Sequence, residues 1–144
     1  MTKTPIIGII AAGSNAGKTT IITQLIPALA AQDIRVSVIK HAHHKFDIDH
    51  PGKDSHTIRE AGAVQTLIAS EKRWALMTEM ARTPDDCSGA NLTSLLSQLD
   101  DRYADLILVE GFKQATIPKI EIYRPSLGLP LLAEQDANII AVAS

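Results

Sequence analysis

Short apolar runs alternate along the chain with stretches of helical periodicity. The run at 105–109 is apolar on both faces, which is typical of a buried parallel strand, and residues 18–32 repeat apolar positions at the spacing of an amphipathic helix. Pro27 falls inside that helix and predicts a bend or a lost hydrogen bond. The remaining predicted strands cover 6–12, 35–41, 117–123 and 138–143. The strand at 117–123 alternates and is predicted to be more exposed, and the strand at 138–143 is predicted to be buried.

The middle of the chain predicts shorter elements. Asp54 is a candidate N-cap for a short helix that Gly62 closes, and the runs at 64–69 and 74–80 flank a polar turn, which predicts a β-hairpin. Leucines at 92, 95, 96 and 99 predict a third helix. Strands that alternate with helices indicate an α/β fold with a mainly parallel sheet, in which ligands bind beyond the carboxyl ends of the strands.

Composition narrows the class of protein. With 144 residues, no linker and 45% hydrophobic positions, residues 1–144 are expected to form a single domain. The formal charge of −2 and 3% aromatic residues argue against nucleic-acid binding. Neither a signal peptide nor a membrane-length apolar run is evident, and Cys87 has no disulfide partner, so a cytoplasmic location is expected. Because the sequence stops after a strand, either a C-terminal helix is missing or another subunit covers that face.

Residues 12–20 match a relaxed Walker A motif between the first strand and the first helix. Glycines let the backbone turn so that its N–H groups face phosphate oxygens, while Lys18 reaches the β and γ phosphates and the Thr19 hydroxyl can ligate Mg²⁺. The motif predicts a P-loop NTPase fold of three layers, with helices on both faces of the sheet, that binds a nucleoside triphosphate. The predicted nucleotide contacts are Gly13, Ser14, Asn15, Ala16, Gly17, Lys18, Thr19 and Thr20.

Carboxylates that could complete a magnesium site follow two of the strands. Glu110 ends the apolar strand in the manner of a Walker B segment, and together with Lys18 it is the predicted catalytic pair. Asp54 is favoured over Asp47 and Asp49 as a further ligand because it would begin a helix. The alternatives are a solvated Glu110 at a strand terminus and an Asp54 that acts as a plain N-cap.

All five histidines lie between residues 41 and 56. A zinc or copper site and a solvated loop without a role are two interpretations. The third is a second pocket that faces the nucleotide and favours an anion, because lysines are interleaved with the histidines. Its predicted residues are Lys40, His41, His43, His44 and, from the segment after Glu110, Lys113.

Taken together, these motifs resemble those of the molybdopterin-guanine dinucleotide biosynthesis protein B family, from about residue 6 to residue 144. The residues that carry the resemblance form the P-loop, the Lys-His-Ala-His-His segment, the Asp-rich segment and the Glu-Gly-Phe-Lys segment. An Arg-Glu-Ala-Gly-Ala segment belongs to the same set, so that in numbers the five segments are 13–20, 39–44, 47–55, 59–63 and 106–113.

The resemblance implies a dimeric GTP-binding protein that hydrolyses GTP slowly. It would act as an adaptor beside the guanylyltransferase that attaches GMP to molybdopterin, with the pterin as a further candidate ligand. The related dethiobiotin synthetase implies metal-ligand roles for Thr19, Asp54 and Glu110. The assignment of GTP rests on the resemblance, because no Asn-Lys-x-Asp motif occurs. The negative charge of the transition state would be stabilised by Arg59 or by an arginine from a partner. The alternative function is an ATP-dependent ligase or small-molecule kinase of the same P-loop class.

Overall fold

The computed structural model describes residues 2–42, 45–85 and 89–144. Internal contacts divide the chain into two compact units. The sheet unit comprises Met1–His41 and Asn91–Ser144, and the hairpin unit comprises Ala42–Ala90.

The sheet unit is built on parallel strands in the order β2-β5-β1-β6-β7, and the hairpin unit contains the antiparallel pair β3-β4. The strands are β1 (Ile6–Ile10), β2 (Val36–Lys40), β3 (Gln65–Ala69), β4 (Trp74–Thr78), β5 (Leu106–Glu110), β6 (Lys119–Ile122) and β7 (Ile139–Ala143). The α-helices are α1 (Lys18–Ala30), α2 (Asp54–Glu60) and α3 (Leu92–Leu96). Short 3₁₀ segments cover Met80–Arg82, Pro125–Leu127 and Leu132–Glu134.

The apolar side chains of the sheet unit form one cluster on each face of the sheet. On one face, Ile22 of α1 packs with Ile9 and Leu108. On the other face, Ile107 and Val109 pack with the leucines of α3. Successive residues of a strand point to opposite faces, so β5 supplies both clusters and has to be apolar throughout. The predicted three-layer arrangement, with a mainly parallel sheet, helices on both faces and a separate hairpin, is confirmed.

The hairpin unit is held by charge more than by apolar packing. Among its described residues, Asp49 and Arg59 are the buried side chains. The Arg59 guanidinium donates to Asp49 at 2.9 Å and also forms ion pairs with Asp47, Glu60 and Glu79. Apolar side chains of the hairpin remain exposed, for example Leu67 and Trp74.

Two of the predicted strands have a different environment from the one expected. β6 is a central strand between β1 and β7, and its charged Lys119 and Glu121 are buried, so the expectation of a more exposed strand was wrong. The reason is that both charges find partners inside the protein. β7 is an edge strand with Ile140 and Val142 exposed, although its apolar sequence predicted burial.

The helices follow the prediction with shifted ends. α2 begins at Asp54 with Lys53 in the cap position and without a side-chain cap, so the prediction that Asp54 caps the helix was wrong by one residue. α3 begins after Asn91, whose side chain caps its N-terminus. It ends at Leu96, where a turn follows, and is therefore shorter than the leucine spacing predicted. Pro27 lies inside α1 and still accepts a hydrogen bond from the Ala31 N–H.

A buried ammonium group links three segments of the sheet unit. Lys119 is 1% exposed, and its Nζ donates to the backbone carbonyl of Lys113 at 2.8 Å and to Oδ2 of Asp136 at 2.5 Å. Gly8 on β1 makes room for the lysine stem, since a Cβ at that position would lie 2.8 Å from Lys119 Cγ. Lys119 therefore holds the segments that follow β5 and precede β7.

We expect Lys119→Met to destabilise the protein by about 2 kcal/mol, because the Lys113 carbonyl and the Asp136 carboxylate, which is 26% exposed, lose their common donor. Thermal unfolding followed by circular dichroism measures the effect. Lys72→Met, in the exposed turn of the hairpin, is the matched control and should leave the melting temperature unchanged. Equal melting temperatures for the two variants would contradict the structural role of Lys119.

The same ion pair predicts a dependence of stability on acid. The Lys119 ammonium, followed by the Asn138 N–H, holds the pKa of Asp136 below its ordinary value of 3.8. A depressed carboxyl pKa contributes stability that is complete above the ordinary value and is lost as the pH falls through the folded-state pKa. Melting temperature measured from about pH 5 downward should therefore fall less steeply in Lys119→Met than in the native chain. Parallel curves would assign the acid sensitivity to other carboxylates.

Candidate nucleotide-binding site

The loop between β1 and α1 has the backbone conformation of an anion site. Gly17 adopts φ 102° and Asn15 adopts φ 63°, so the chain turns sharply before the helix begins at Lys18. A left-handed residue at this position favours glycine. In the described structure, the first turn of α1 carries no side-chain cap and no acidic residue. The N–H donors and the positive end of the helix dipole therefore remain for an anionic ligand.

Strand register brings three predicted site residues together at the carboxyl edge of the sheet. Ile9 of β1 and Lys40 of β2 both lie opposite Glu110 of β5. Oε1 of Glu110 accepts a hydrogen bond from the Thr19 hydroxyl at 3.3 Å and from Lys40 Nζ at 3.0 Å. The Glu110 side chain is 11% exposed, whereas that of Lys40 is 59% exposed. Thr19 and Glu110 converge as the sequence predicted, and Lys40 joins them.

The site carries an excess of positive charge. Partial burial lowers the pKa of the Lys18 ammonium, Glu110 opposes that shift, and the nearby Lys113 and Lys40 lower it further. The ammonium groups of Lys113 and Lys40 thus repel that of Lys18, which the Glu110 carboxylate attracts. Their mutual repulsion is relieved by an anion, so electrostatics favour a polyphosphate ligand at Lys18.

The segment after β5 closes on the P-loop. Lys113 Nζ donates to the carbonyl oxygen of Ala12 at 3.1 Å, which ties this segment to the start of the loop. Phe112 has a left-handed φ of 55°, and its ring stacks on His41 with 4.5 Å between the ring centroids. Lys113 therefore lies beside the phosphate loop, and His41 lies against the segment that carries Lys113.

Other residues singled out in the sequence lie in the hairpin unit or outside the described residues. Asp54 begins α2 in the hairpin unit, and its role as a metal ligand stays a prediction. His43, His44 and Cys87 lie outside the described residues. Arg59 is occupied by the carboxylates of the hairpin unit. Across residues 2–42, 45–85 and 89–144, no group of three or more His, Cys, Asp and Glu side chains is arranged to hold a metal ion.

The arrangement of Thr19 and Glu110 fits a magnesium ion. The two oxygens already lie within hydrogen-bond distance of each other, and both are hard donors of the kind that Mg²⁺ prefers. Magnesium keeps several waters and takes phosphate oxygens, so one hydroxyl and one carboxylate are sufficient protein ligands.

Arg124 is a residue of this region that the sequence interpretation missed. It lies two residues after the end of β6, and a Cβ placed on Gly17 would lie 3.5 Å from its Nη2. The guanidinium is therefore beside the P-loop. The rule that selected Glu110, a polar residue at the carboxyl end of a strand next to the P-loop, would have selected Arg124 as well.

Comparison with known proteins gives the family. The model of the family described as molybdopterin guanine dinucleotide synthesis protein B matches residues 6–144. The chain belongs to this family. It is 52% identical over 135 residues to the molybdopterin-guanine dinucleotide biosynthesis adapter protein of Escherichia coli (strain K12), covering 93% of this chain and 75% of the relative. It is 48% identical over 140 residues to the adapter protein of Haemophilus influenzae, covering 97% and 74%.

Solved structures agree with this assignment. The crystal structure of Bacillus subtilis MobB superimposes with a TM-score of 0.66 at 27% identity, covering 88% of this chain and 74% of that one.

Among the described residues, none of the helices has the length and apolar character that crossing a membrane requires.

Glu110→Gln removes the carboxylate charge while keeping the shape of the side chain. We expect tripolyphosphate, the phosphate portion of a nucleotide, to bind this variant without Mg²⁺ at least as tightly as it binds the native chain, because one negative charge has gone. The tightening that Mg²⁺ gives the native chain should be lost. Calorimetric titration with and without Mg²⁺ measures both effects. Glu134→Gln, at the exposed last residue of a 3₁₀ segment, is the control. An unchanged Mg²⁺ effect in Glu110→Gln would remove Glu110 from the metal site.

Proposed function

We propose that this chain is a GTP-binding adapter with slow GTPase activity, acting in the formation of molybdopterin guanine dinucleotide beside the guanylyltransferase. The observation that carries the proposal is the convergence of Lys18, Thr19 and Glu110 at the P-loop of a chain in this family. The curated relatives are named as adapter proteins, and no observation favours the ligase or kinase alternative. A homodimer and a cytoplasmic location belong to the same proposal.

In this function each residue at the carboxyl edge has a separate task. The N–H groups at the start of α1 and the Lys18 ammonium bind the phosphates, with Lys40 and Lys113 adding positive charge. Thr19 and Glu110 would hold Mg²⁺, which supplies charge neutralisation when bound. Asp54 is proposed as a third ligand. Lys113 also fixes the loop through Ala12. Slow hydrolysis belongs to the same proposal, because Arg59 is engaged by the carboxylates of the hairpin unit and so is not available to neutralise the charge of the transition state.

Lys18→Ala tests nucleotide binding. We expect a loss of about 100-fold in affinity for Mg²⁺-GTP, because the phosphates lose a charge-assisted hydrogen bond in a partly buried site. Titrations of GTP and ATP against the native chain and the variant measure it, with Lys72→Ala as the exposed control. A native preference for GTP supports the adapter function. Equal or tighter ATP binding would favour a ligase or kinase instead.

The adapter function predicts that nucleotide affects association with the guanylyltransferase. GTP with Mg²⁺ should tighten binding of the native chain to that enzyme and have no effect on binding of Lys18→Ala, because only the native P-loop is occupied. Sedimentation of labelled chain with the transferase measures the affinity, and sedimentation of the chain alone should give the mass of a dimer. An affinity for the transferase that GTP does not change would rule out nucleotide control of the adapter.

A further inference from the structure

The two sides of the P-loop differ in chemistry. β5 and β2 lie on one side of β1 and bring Glu110 and Lys40 to the site. β6 and β7 lie on the other side. A nucleotide is also two-sided, with its metal-binding phosphates at one end and its base at the other. If the phosphates and metal lie toward Thr19 and Glu110, as the proposed function requires, the nucleoside extends toward the ends of β6 and β7.

A cavity is present on that second side. It has a volume of about 200 Å³ and lies between the start of α1, the segment after β6 and the end of β7. The volume is below the roughly 300–1,000 Å³ of pockets that enclose a whole drug-sized molecule, so it suits one ring system. Its lining is largely apolar, which suits the faces of a base. The lining residues include Thr20, Ile21, Ile122, Tyr123, Arg124 and Pro125.

Arg124 is the cationic side chain among the lining residues of this cavity. It is exposed, and within the part of the chain that the structure describes its guanidinium makes neither an ion pair nor a hydrogen bond. A guanidinium presents several N–H donors in a rigid fork. Donors without protein partners at the rim of an apolar cavity are suited to ligand acceptors.

We propose that this cavity receives the purine base of the nucleotide and that Arg124 selects guanine. The guanine edge presents two acceptors, O6 and N7, which match the arginine fork, whereas adenine presents an N6 amino donor in place of O6. Facing two donors toward each other leaves one of them unpaired, so ATP is discriminated against. This assignment rests on the proposed GTP binding and supplies the base recognition for which the sequence has no Asn-Lys-x-Asp motif.

The test compares three ligands with the native chain, Arg124→Met and Arg124→Lys. The ligands are GTP, ATP and inorganic tripolyphosphate, each with Mg²⁺ and followed by calorimetric titration. Arg124→Met should weaken the binding of GTP by about 10- to 100-fold, the range for one bidentate base contact. The affinities for ATP and tripolyphosphate should stay within about twofold of those of the native chain. Arg124→Lys keeps the charge and loses the fork, so it should weaken GTP by about tenfold as well. Arg73→Met, in the hairpin turn, is the control.

Inosine triphosphate gives an independent check. It keeps O6 and N7 and lacks the 2-amino group, so Arg124→Met should weaken its binding by the same factor as the binding of GTP. An equal loss for GTP, ATP and tripolyphosphate would overturn the proposal by showing that Arg124 contacts phosphates. An unchanged GTP preference in Arg124→Met would overturn it too. Failure of the proposed function is distinguishable, because the native chain would then bind neither GTP nor tripolyphosphate, or would bind both no better than Lys18→Ala does.

Discussion

The buried ammonium of Lys119 is the interaction on which the rest of the sheet unit depends. An isolated ammonium in the protein interior costs several kcal/mol, so its position is acceptable only where acceptors surround it. Asp136 supplies a carboxylate from the segment before β7, and the Lys113 carbonyl supplies a second acceptor from the segment after β5. The small residue Gly8 lets the stem cross β1. One side chain of β6 thereby links these two connections to each other.

That constraint extends to the phosphate loop. The segment whose carbonyl Lys119 holds is also the segment whose Lys113 ammonium contacts Ala12 at the start of the P-loop. Glu121, two residues along the same strand, accepts the backbone N–H groups of Leu132 and Ala133 at 2.8 Å each. Charged side chains of β6 therefore hold the connections that precede and follow this strand. Rigid support of this kind is what a site needs if its charges are to stay in place without a ligand.

The parts of the structure that sequence could predict are those whose signals are local. The P-loop, Glu110 at the end of β5 and the hairpin each depend on a few neighbouring residues, and each was found. The burial of Lys119 and Glu121 depends on partners 6 to 17 positions away, so their alternation with apolar residues indicated a solvated strand. Lys40 was expected in a second pocket that faces the nucleotide, which stays a prediction, and its place opposite Glu110 follows from the parallel register, which the sequence pattern did not indicate. Pairing of distant charges leaves no periodicity to detect.

The hairpin unit distributes its side chains in the opposite way to the sheet unit. Its described residues bury Asp49 and Arg59, while large apolar side chains such as Trp74, 63% exposed, face outward. Local stability measured by hydrogen exchange follows the apolar surface that a segment buries. We therefore expect the hairpin unit to open as a separate unit at a low free energy. Its amides should exchange through local opening, whereas those of β1 and β5 should exchange through global unfolding.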